Sequence, residues 1–107
     1  MTAPFVWSVR TRPEVVTVGS VDGRVLNLRV EIPEVWDVVR VAAAPETTVL
    51  AVKEAALAAV IPGADAEGYV MKLRGYEMLD ERQSLAASGA VDGSIFLLTY
   101  RRRRPVR

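Results

Sequence analysis

The chain has 107 residues, which is the length of a single domain, and half of them are hydrophobic. It contains no Cys and no His, which excludes disulfides, thiolate nucleophiles and cysteine–zinc sites and removes the commonest general base and metal ligand. The net charge of +1 is unevenly distributed, because residues 1–100 carry nine basic and 13 acidic residues while residues 101–107 carry five basic ones. An acidic body with a basic tail is therefore predicted. Apolar stretches fall short of the roughly 18–20 residues that span a bilayer, and no signal sequence is recognisable, so we expect a cytoplasmic protein with no transmembrane segment.

Residues 1–23 are predicted to be an N-terminal extension or an extra edge strand. Val15, Val16 and Val18 make a short strand candidate that is followed by a turn-like segment containing Gly19 and Gly23. Its pairing is open: the segment pairs with residues 25–28 at a sheet edge, or it remains mobile.

Residues 24–43 are predicted to form a β-hairpin. Apolar and polar side chains alternate over residues 24–32, which is the period of a half-buried strand. Pro33 ends that strand, and residues 35–43 form the next, with Arg40 facing away from the core. The inward positions are Leu26, Leu28, Val30, Ile32, Val39 and Val41.

A single helix is predicted to start after Thr48 and to end at Pro62-Gly63. The Thr48 hydroxyl suits an N-cap, since it can accept a backbone N–H of the first turn. Val49, Val52 and Ala56 recur at helical spacing and are expected to face the sheet. Lys53 and Glu54 are expected on the opposite, solvent side.

Two further strands complete the domain, which we place at residues 24–100. Residues 69–74 and 94–100 are the strands, and residues 80–93 form a turn-rich crossover between them that contains Leu85. In the last strand, Phe96, Leu98 and Tyr100 are expected to face inward. This order predicts an α+β fold in which one main helix crosses a mixed four- to five-stranded sheet.

Several segments resemble the ubiquitin-like β-grasp family. The segments are Pro45-Glu46-Thr47-Thr48-Val49 at the helix start, Val70 to Gly75 in the third strand, the buried Leu85, and the inward residues of the last strand. The stretch from Asp80 to Leu98 is similar to a bacterial subset, the YukD/EsaB-like proteins and related soluble domains of type VII secretion machinery. The resemblance implies a non-catalytic protein-interaction module that uses no cofactor, in a secretion or other multi-subunit complex.

Two departures from ubiquitin matter for function. No glycine follows Gly93, and Arg104 and Pro105 stand where a ubiquitin-type modifier carries the terminal diglycine that its activating enzyme requires. Lys72 aligns with the central aliphatic of ubiquitin's interaction patch, and Leu97 and Thr99 align with its neighbours. Two alternatives stay open: a bacterial ubiquitin-like modifier, and a ubiquitin-like auxiliary subunit of a multicomponent monooxygenase.

Two candidate partner-binding elements follow. Lys72, Ile95, Leu97 and Thr99 are predicted on the sheet face away from the helix, as an interaction surface or as a surface that the N-terminal arm (Phe5, Trp7 and Val9) covers. The arginine run is either a solvated end or a binding element for an acidic protein partner, nucleic acid phosphates or an anionic lipid surface. It consists of Arg101, Arg102, Arg103 and Arg104.

The remaining candidates are an aromatic residue and three carboxylates. Trp36 is expected in the hairpin loop, as an exposed contact point or tucked against the sheet edge. Glu77, Asp80 and Glu81 cluster near the crossover, but no His, Lys or metal partner is paired with them by spacing, so we interpret them as a solvated loop. The sequence predicts no catalytic residue and no metal site.

Overall fold

The computed structural model describes residues 10–18 and 23–101. They form one mixed sheet of six strands in the order β1-β3-β2-β6-β4-β5, with one main helix packed on one face. The elements are β1 (Arg10–Val18), β2 (Leu26–Ile32), β3 (Asp37–Ala43), α1 (Val49–Val60), β4 (Tyr69–Leu73), β5 (Tyr76–Glu77), α2 (Leu85–Ser88) and β6 (Ile95–Tyr100).

The predicted α+β class is confirmed, and the sheet has six strands where four to five were expected. The additional strand inside the domain is β5, which pairs with β4 after a turn at Arg74-Gly75. A strand of two residues is too short to show any periodicity in a sequence.

The strand β1 lies at one edge of the sheet and pairs in parallel with β3, with Val15 opposite Arg40. It does not pair with residues 25–28, which was the alternative suggested by the sequence. Val16 and Val18 pack against the core, whereas Val15 is exposed. The register shifts between Thr11 and Val15, where a proline removes one backbone donor.

The hairpin of β2 and β3 is confirmed and supplies much of the core. The strands pair antiparallel, with Leu28 opposite Val41 and Val30 opposite Val39, and all four side chains are buried. The hairpin is shorter than predicted at its closed end, because Pro33–Val35 forms a 3-10 turn.

The helix α1 begins and ends close to the predicted residues. Thr48 Oγ1 accepts a hydrogen bond from the N–H of Ala51 at 3.1 Å, which confirms the N-cap. Val49, Val52 and Ala56 are buried, as expected. With 12 residues, α1 is the longest helix in the part of the chain that the structure describes, and no helix there is long and apolar enough to cross a bilayer.

Lys53 was expected on the solvent side of α1, and this prediction is wrong. The residue is 2% exposed, and its ammonium donates to Tyr69 O and to the Glu81 carboxylate. Burial of this lysine is possible because its aliphatic stem lies in the core while the charge meets an anion and a carbonyl. The Glu81 partner also overturns the interpretation of that carboxylate as part of a solvated loop.

The crossover joins the helix side of the domain to β6. Leu85 starts the four-residue helix α2 and is fully buried. Near the end of the crossover, Asp92 Oδ1 accepts hydrogen bonds from the backbone N–H of Asn27 at 2.7 Å and from the Asn27 Nδ2 at 3.0 Å. In β6 itself, Phe96 and Leu98 are buried as predicted.

Tyr100 is an exception in that strand, because it is 57% exposed instead of facing into the core. Its ring lies edge-on to Tyr69 at a centroid distance of 5.2 Å. The pair places one aromatic partly against the core and leaves the other in water, where a phenol hydroxyl is readily solvated.

Candidate functional site

The helix α1 covers one face of the sheet, and the opposite face presents the side chains that alternate with the core residues. We call this surface the open face. It includes Val15 on the edge strand β1. On the strands β3, β2, β6 and β4 it includes Arg40, Val38, Arg29, Glu31, Ile95, Leu97, Thr99, Val70 and Lys72.

The four body residues predicted to bind a partner come together on the open face. Lys72 is the register partner of Leu97, and Thr99 is the register partner of Val70. Ile95 precedes Leu97 by two residues on β6 and therefore shares its face. Ile95 is 47% exposed, whereas Lys72, Leu97 and Thr99 are half-buried. The result is a small aliphatic surface with one cation beside it.

Glu77 connects this surface to the start of the arginine run. Its register partner on β4 is Lys72, and its Oε2 lies 3.6 Å from Arg101 Nη2. Glu77 thus belongs to the strand β5, not to a loop, and its carboxylate is placed near two cations. The ion pair with Arg101 is half exposed, so it orients these groups more than it stabilises the fold.

Arg101 is held at the end of the sheet by backbone hydrogen bonds. Its N–H donates to Gly68 O at 2.7 Å, and the preceding Tyr100 N–H donates to Glu34 Oε2 at 2.9 Å. The first arginine of the run therefore has a fixed position beside the open face. Arg102, Arg103 and Arg104, which were predicted to bind a partner with it, lie outside the described residues.

A shallow depression of about 530 Å³ lies at this end of the open face. It is lined by Glu34, Val70, Lys72, Glu77, Thr99, Tyr100 and Arg101. Its lining contains two cationic and two anionic side chains, which suits a polar protein segment better than an apolar small molecule.

The hairpin turn carries an exposed tryptophan. Trp36 is 69% exposed, so the alternative that it is tucked against the sheet edge is wrong. Its φ of 54° lies in the left-handed region, which is strained for a bulky side chain. The preceding turn residue Val35 is 40% exposed, and the turn contacts β6 near the Glu34–Tyr100 hydrogen bond. An exposed aromatic group therefore stands at the end of the open face nearest Thr99.

The N-terminal arm proposed to cover the open face cannot be followed, because Phe5, Trp7 and Val9 lie outside the described residues. The described segment that continues it, β1, is separated from β6 by β3 and β2. Covering of Ile95 and Leu97 by the arm stays a prediction.

Sequence reasoning missed one pair on the open face, Arg29 and Arg40. The two arginines are register partners on β2 and β3. Arg40 was predicted to face away from the core, and the alternation over residues 24–32 places Arg29 outward as well; both are exposed in the structure. Their direct opposition depends on the register of the hairpin. The number of residues that separate the two strands and contain the 3-10 turn would have indicated that register.

The site contains groups suited to binding. Within residues 10–18 and 23–101, no group of three acidic side chains comes together to hold a metal ion. The open face instead combines guanidinium, ammonium and aliphatic groups on a hydrogen-bonded sheet. Such a surface can recognise an acidic and apolar protein segment.

Comparison with known proteins gives matches in structure alone. No family model matches the sequence, and no curated protein matches it. Three solved structures illustrate the similarity. The ubiquitin of Caldiarchaeum subterraneum has a TM-score of 0.64 at 19% identity over 77% of this chain and 100% of its own.

The other two are domains of eukaryotic proteins. The UBL domain of Plasmodium falciparum Dsk2 has a TM-score of 0.61 at 25% identity, over 72% of this chain and 99% of its own. The C-terminal ubiquitin-like domain of mouse tubulin-specific chaperone e has a TM-score of 0.63 at 15% identity, over 82% of this chain and 96% of its own. In each comparison the similarity spans nearly the whole of the other domain.

Proposed function

We propose that this chain, which has the ubiquitin-like β-grasp fold, is a non-catalytic module that binds a protein partner through the open face. The fold was predicted from the sequence and is confirmed by the solved structures of similar shape. β-Grasp domains carry many unrelated functions, so the proposal rests on the surface and not on the fold.

One observation carries the proposal: two aliphatic side chains, Ile95 and Leu97, stand on an open sheet face with Lys72 beside them. Ile95 is 47% exposed in the described chain. Protein interfaces typically combine an apolar centre with a charged rim, and here the rim is supplied by Arg29, Glu31 and Glu77. The exposed Trp36 at the end of this face is of a residue type enriched at interface hot spots.

The carboxylates near the crossover support a non-catalytic function. Of the three carboxylates there, Glu81 is engaged by Lys53 and Glu77 faces Arg101. Asp80 accepts the backbone N–H of Arg82, which is the geometry of a local turn. Each of these carboxylates therefore has a structural partner, which supports a non-catalytic role for them.

The finer proposal is a cytoplasmic, bacterial accessory protein of the YukD/EsaB type that acts with type VII secretion machinery. Its support is the sequence resemblance of the segment from Asp80 to Leu98.

The first test is capture of the partner from a lysate of the host. Because the chain has no cysteine, a single cysteine at Ala58, an exposed position on α1, can carry the biotin that immobilises it. In this background Leu97→Asp is compared with Leu79→Asp, the same change at a residue that is 84% exposed in a loop. We expect Leu97→Asp to reduce recovery of the partner about tenfold, since a carboxylate replaces an apolar contact.

Equal recovery of the partner with Leu97→Asp and with Leu79→Asp would contradict binding through the open face. Urea unfolding of each variant shows whether it is folded, and Leu97→Gln, which adds no charge, separates lost contact from repulsion. The intact mass of the protein recovered from its host tests the rest of the proposal, because a covalent adduct at the C-terminus would show a modifier.

A further inference from the structure

The strands β2 and β3 place two arginines directly opposite each other. Arg29 and Arg40 are antiparallel register partners, and both side chains are exposed. The N–H of Arg29 donates to Ser94 O at 3.0 Å, so its backbone polar groups point towards the β6 side and away from β3. The two arginines therefore form a non-hydrogen-bonded pair, in which Cα atoms are only about 4.5 Å apart and side chains are closest.

This pair is unfavourable by itself. Like charges directly opposite on neighbouring strands destabilise a sheet. In the part of the chain that the structure describes, neither guanidinium has an ion-pair partner within 4.0 Å. The carboxylate nearest in register is Glu31, which is two residues from Arg29 on the same face and pairs in register with Val38 and Leu97. Two exposed arginines that stand opposite each other on adjacent strands thus present their guanidinium donors to solvent.

Resting on the function proposed above, we infer that Arg29 and Arg40 form a subsite for a carboxylate of the partner protein. One carboxylate oxygen can accept from each guanidinium, and charge-assisted hydrogen bonds of this kind are among the strongest in proteins. Binding also removes the repulsion between the two cations. The open face therefore has an anion subsite beside its aliphatic surface.

The spacing of the sheet defines the partner segment further. Ile95 is the neighbour of Arg29 on the other side. With strands about 4.8 Å apart, the midpoint between β2 and β3 lies about 7 Å from β6. Residues i and i+2 of an extended chain are also about 7 Å apart and point to the same side. An extended segment that crosses the strands with Asp or Glu two positions from Leu, Ile or Val fits both the arginine pair and Ile95.

Charge on the rest of the open face favours a protein segment over a nucleic acid. Glu31 stands next to Arg29 on β2, and Glu77 stands beyond Lys72 on β5. A polyanion lying on the face would approach these carboxylates, whereas a segment with one acidic residue meets only the arginine pair. Like charges brought together at an interface act strongly against the wrong partner.

The test uses defined probes and the full chain labelled with ¹⁵N. The first probe is an eight-residue peptide with aspartate and leucine two positions apart and glycine or serine elsewhere. The second has asparagine for aspartate, and the third is a ten-nucleotide oligothymidylate. Each is titrated at physiological salt into the wild type, into Arg29→Gln/Arg40→Gln, and into Arg24→Gln/Arg82→Gln, which removes the same charge from two exposed arginines elsewhere.

We expect the acidic peptide to shift the amide signals of Arg29, Arg40 and Ile95. Its affinity should fall about tenfold when aspartate is replaced by asparagine or when the arginine pair is removed, and stay within about twofold for the control pair. Three results would overturn the subsite: no shift at these amides, equal loss in both double variants, or tighter binding of the oligonucleotide than of the peptide to the same arginines.

The same variants separate this inference from the proposed function. In the capture experiment, loss of the partner with Leu97→Asp but not with Arg29→Gln/Arg40→Gln removes the subsite and keeps the interaction surface. Peptide binding that depends on the arginine pair, without any effect of Leu97→Asp on capture, keeps the subsite and removes the proposed surface.

Discussion

The ammonium of Lys53 lies 2.7 Å from Glu81 Oε1 and 2.9 Å from Glu81 Oε2, and only 3% of the lysine side chain is exposed. The ammonium also donates to Tyr69 O at 2.9 Å. The backbone carbonyl of Glu81 in turn accepts the N–H of Leu50 at 2.8 Å. The Lys53 ammonium therefore joins α1 to the crossover loop through an ion pair and to the first residue of β4 through a hydrogen bond.

We expect Glu81→Gln to lower the free energy of unfolding by about 3 kcal/mol, because it leaves the buried Lys53 ammonium without its anion. Lys53→Met should be milder, since it removes the buried charge and the remaining carboxylate is 19% exposed to water. Urea unfolding gives both values. A greater loss in Lys53→Met than in Glu81→Gln would show that the lysine stem and its bond to Tyr69 matter more than the ion pair.

The Asp92 carboxylate should make stability depend on pH. The hydrogen bonds from the backbone and then the side chain of Asn27 hold the pKa of Asp92 below its ordinary value of 3.8. A lowered pKa stabilises the fold at pH values above the ordinary one, and this contribution is lost as the pH falls through the lowered pKa. The stability difference between wild type and Asp92→Asn should therefore shrink below about pH 4.

Urea unfolding at a series of pH values between about 6 and 2 measures that difference. Asp65→Asn, which removes one negative charge from an exposed turn, is the matched control. A constant difference between wild type and Asp92→Asn across the series would mean that the Asn27 contacts do not discriminate between the two forms of the carboxyl.

Replacement of Trp36 should separate stability from binding. Trp36→Gly relieves the left-handed backbone, so we expect the free energy of unfolding to stay the same or to rise by up to about 1 kcal/mol. Arg74→Gly is the matched control, because Arg74 has almost the same φ, 55°, in a different turn. A loss of more than about 1 kcal/mol in Trp36→Gly alone would show that the indole packs on the sheet, whereas weaker partner capture without that loss supports a contact role.

Two neighbouring valines test whether β1 belongs to the folded domain. Val16 packs against the core and Val15 is 46% exposed. Val16→Ala should lower the free energy of unfolding by about 1 kcal/mol, and Val15→Ala by less than about 0.5 kcal/mol. Thermal or urea unfolding of the pair gives the answer directly. Equal and negligible effects would mean that β1 adds nothing to the stability of the sheet.

Local sequence patterns predicted those strands and helices whose characteristic residues lie within the element or next to it. The alternation around Leu28 and Val30 identifies a half-buried strand and its inward face. Thr48 identifies the helix start through a bond three residues away. Lys53 was misassigned because a charged side chain is normally solvated, although its position four residues after Val49 lies on the buried stripe of α1. Only the ion pair with Glu81, 28 residues later, compensates for its burial.

The candidate site likewise combines contacts that the sequence predicted with contacts that depend on strand register and were not predicted. The register of β4 and β6 brings Lys72 and Leu97 together, as the resemblance implied. The opposition of Arg29 and Arg40 was not foreseen, because a one-residue slip of the hairpin would have separated them. Likewise, valines in β1 indicate a strand but contain no information about which strand they pair with, and β1 pairs with β3.

The placement of β1 also determines how the domain would yield to a pulling force. Arg10 and the end of β6 lie at the same end of the sheet, since Arg10 and Ile32 both pair with Asp37 and β6 runs parallel to β2. A load between Arg10 and Arg101 would therefore peel β1 from β3 one hydrogen bond at a time. Once β1 has gone, the load would enter at Leu26, at the opposite end of the sheet, and would shear all the bonds between β2 and β6 together. The domain would extend easily at first and then resist.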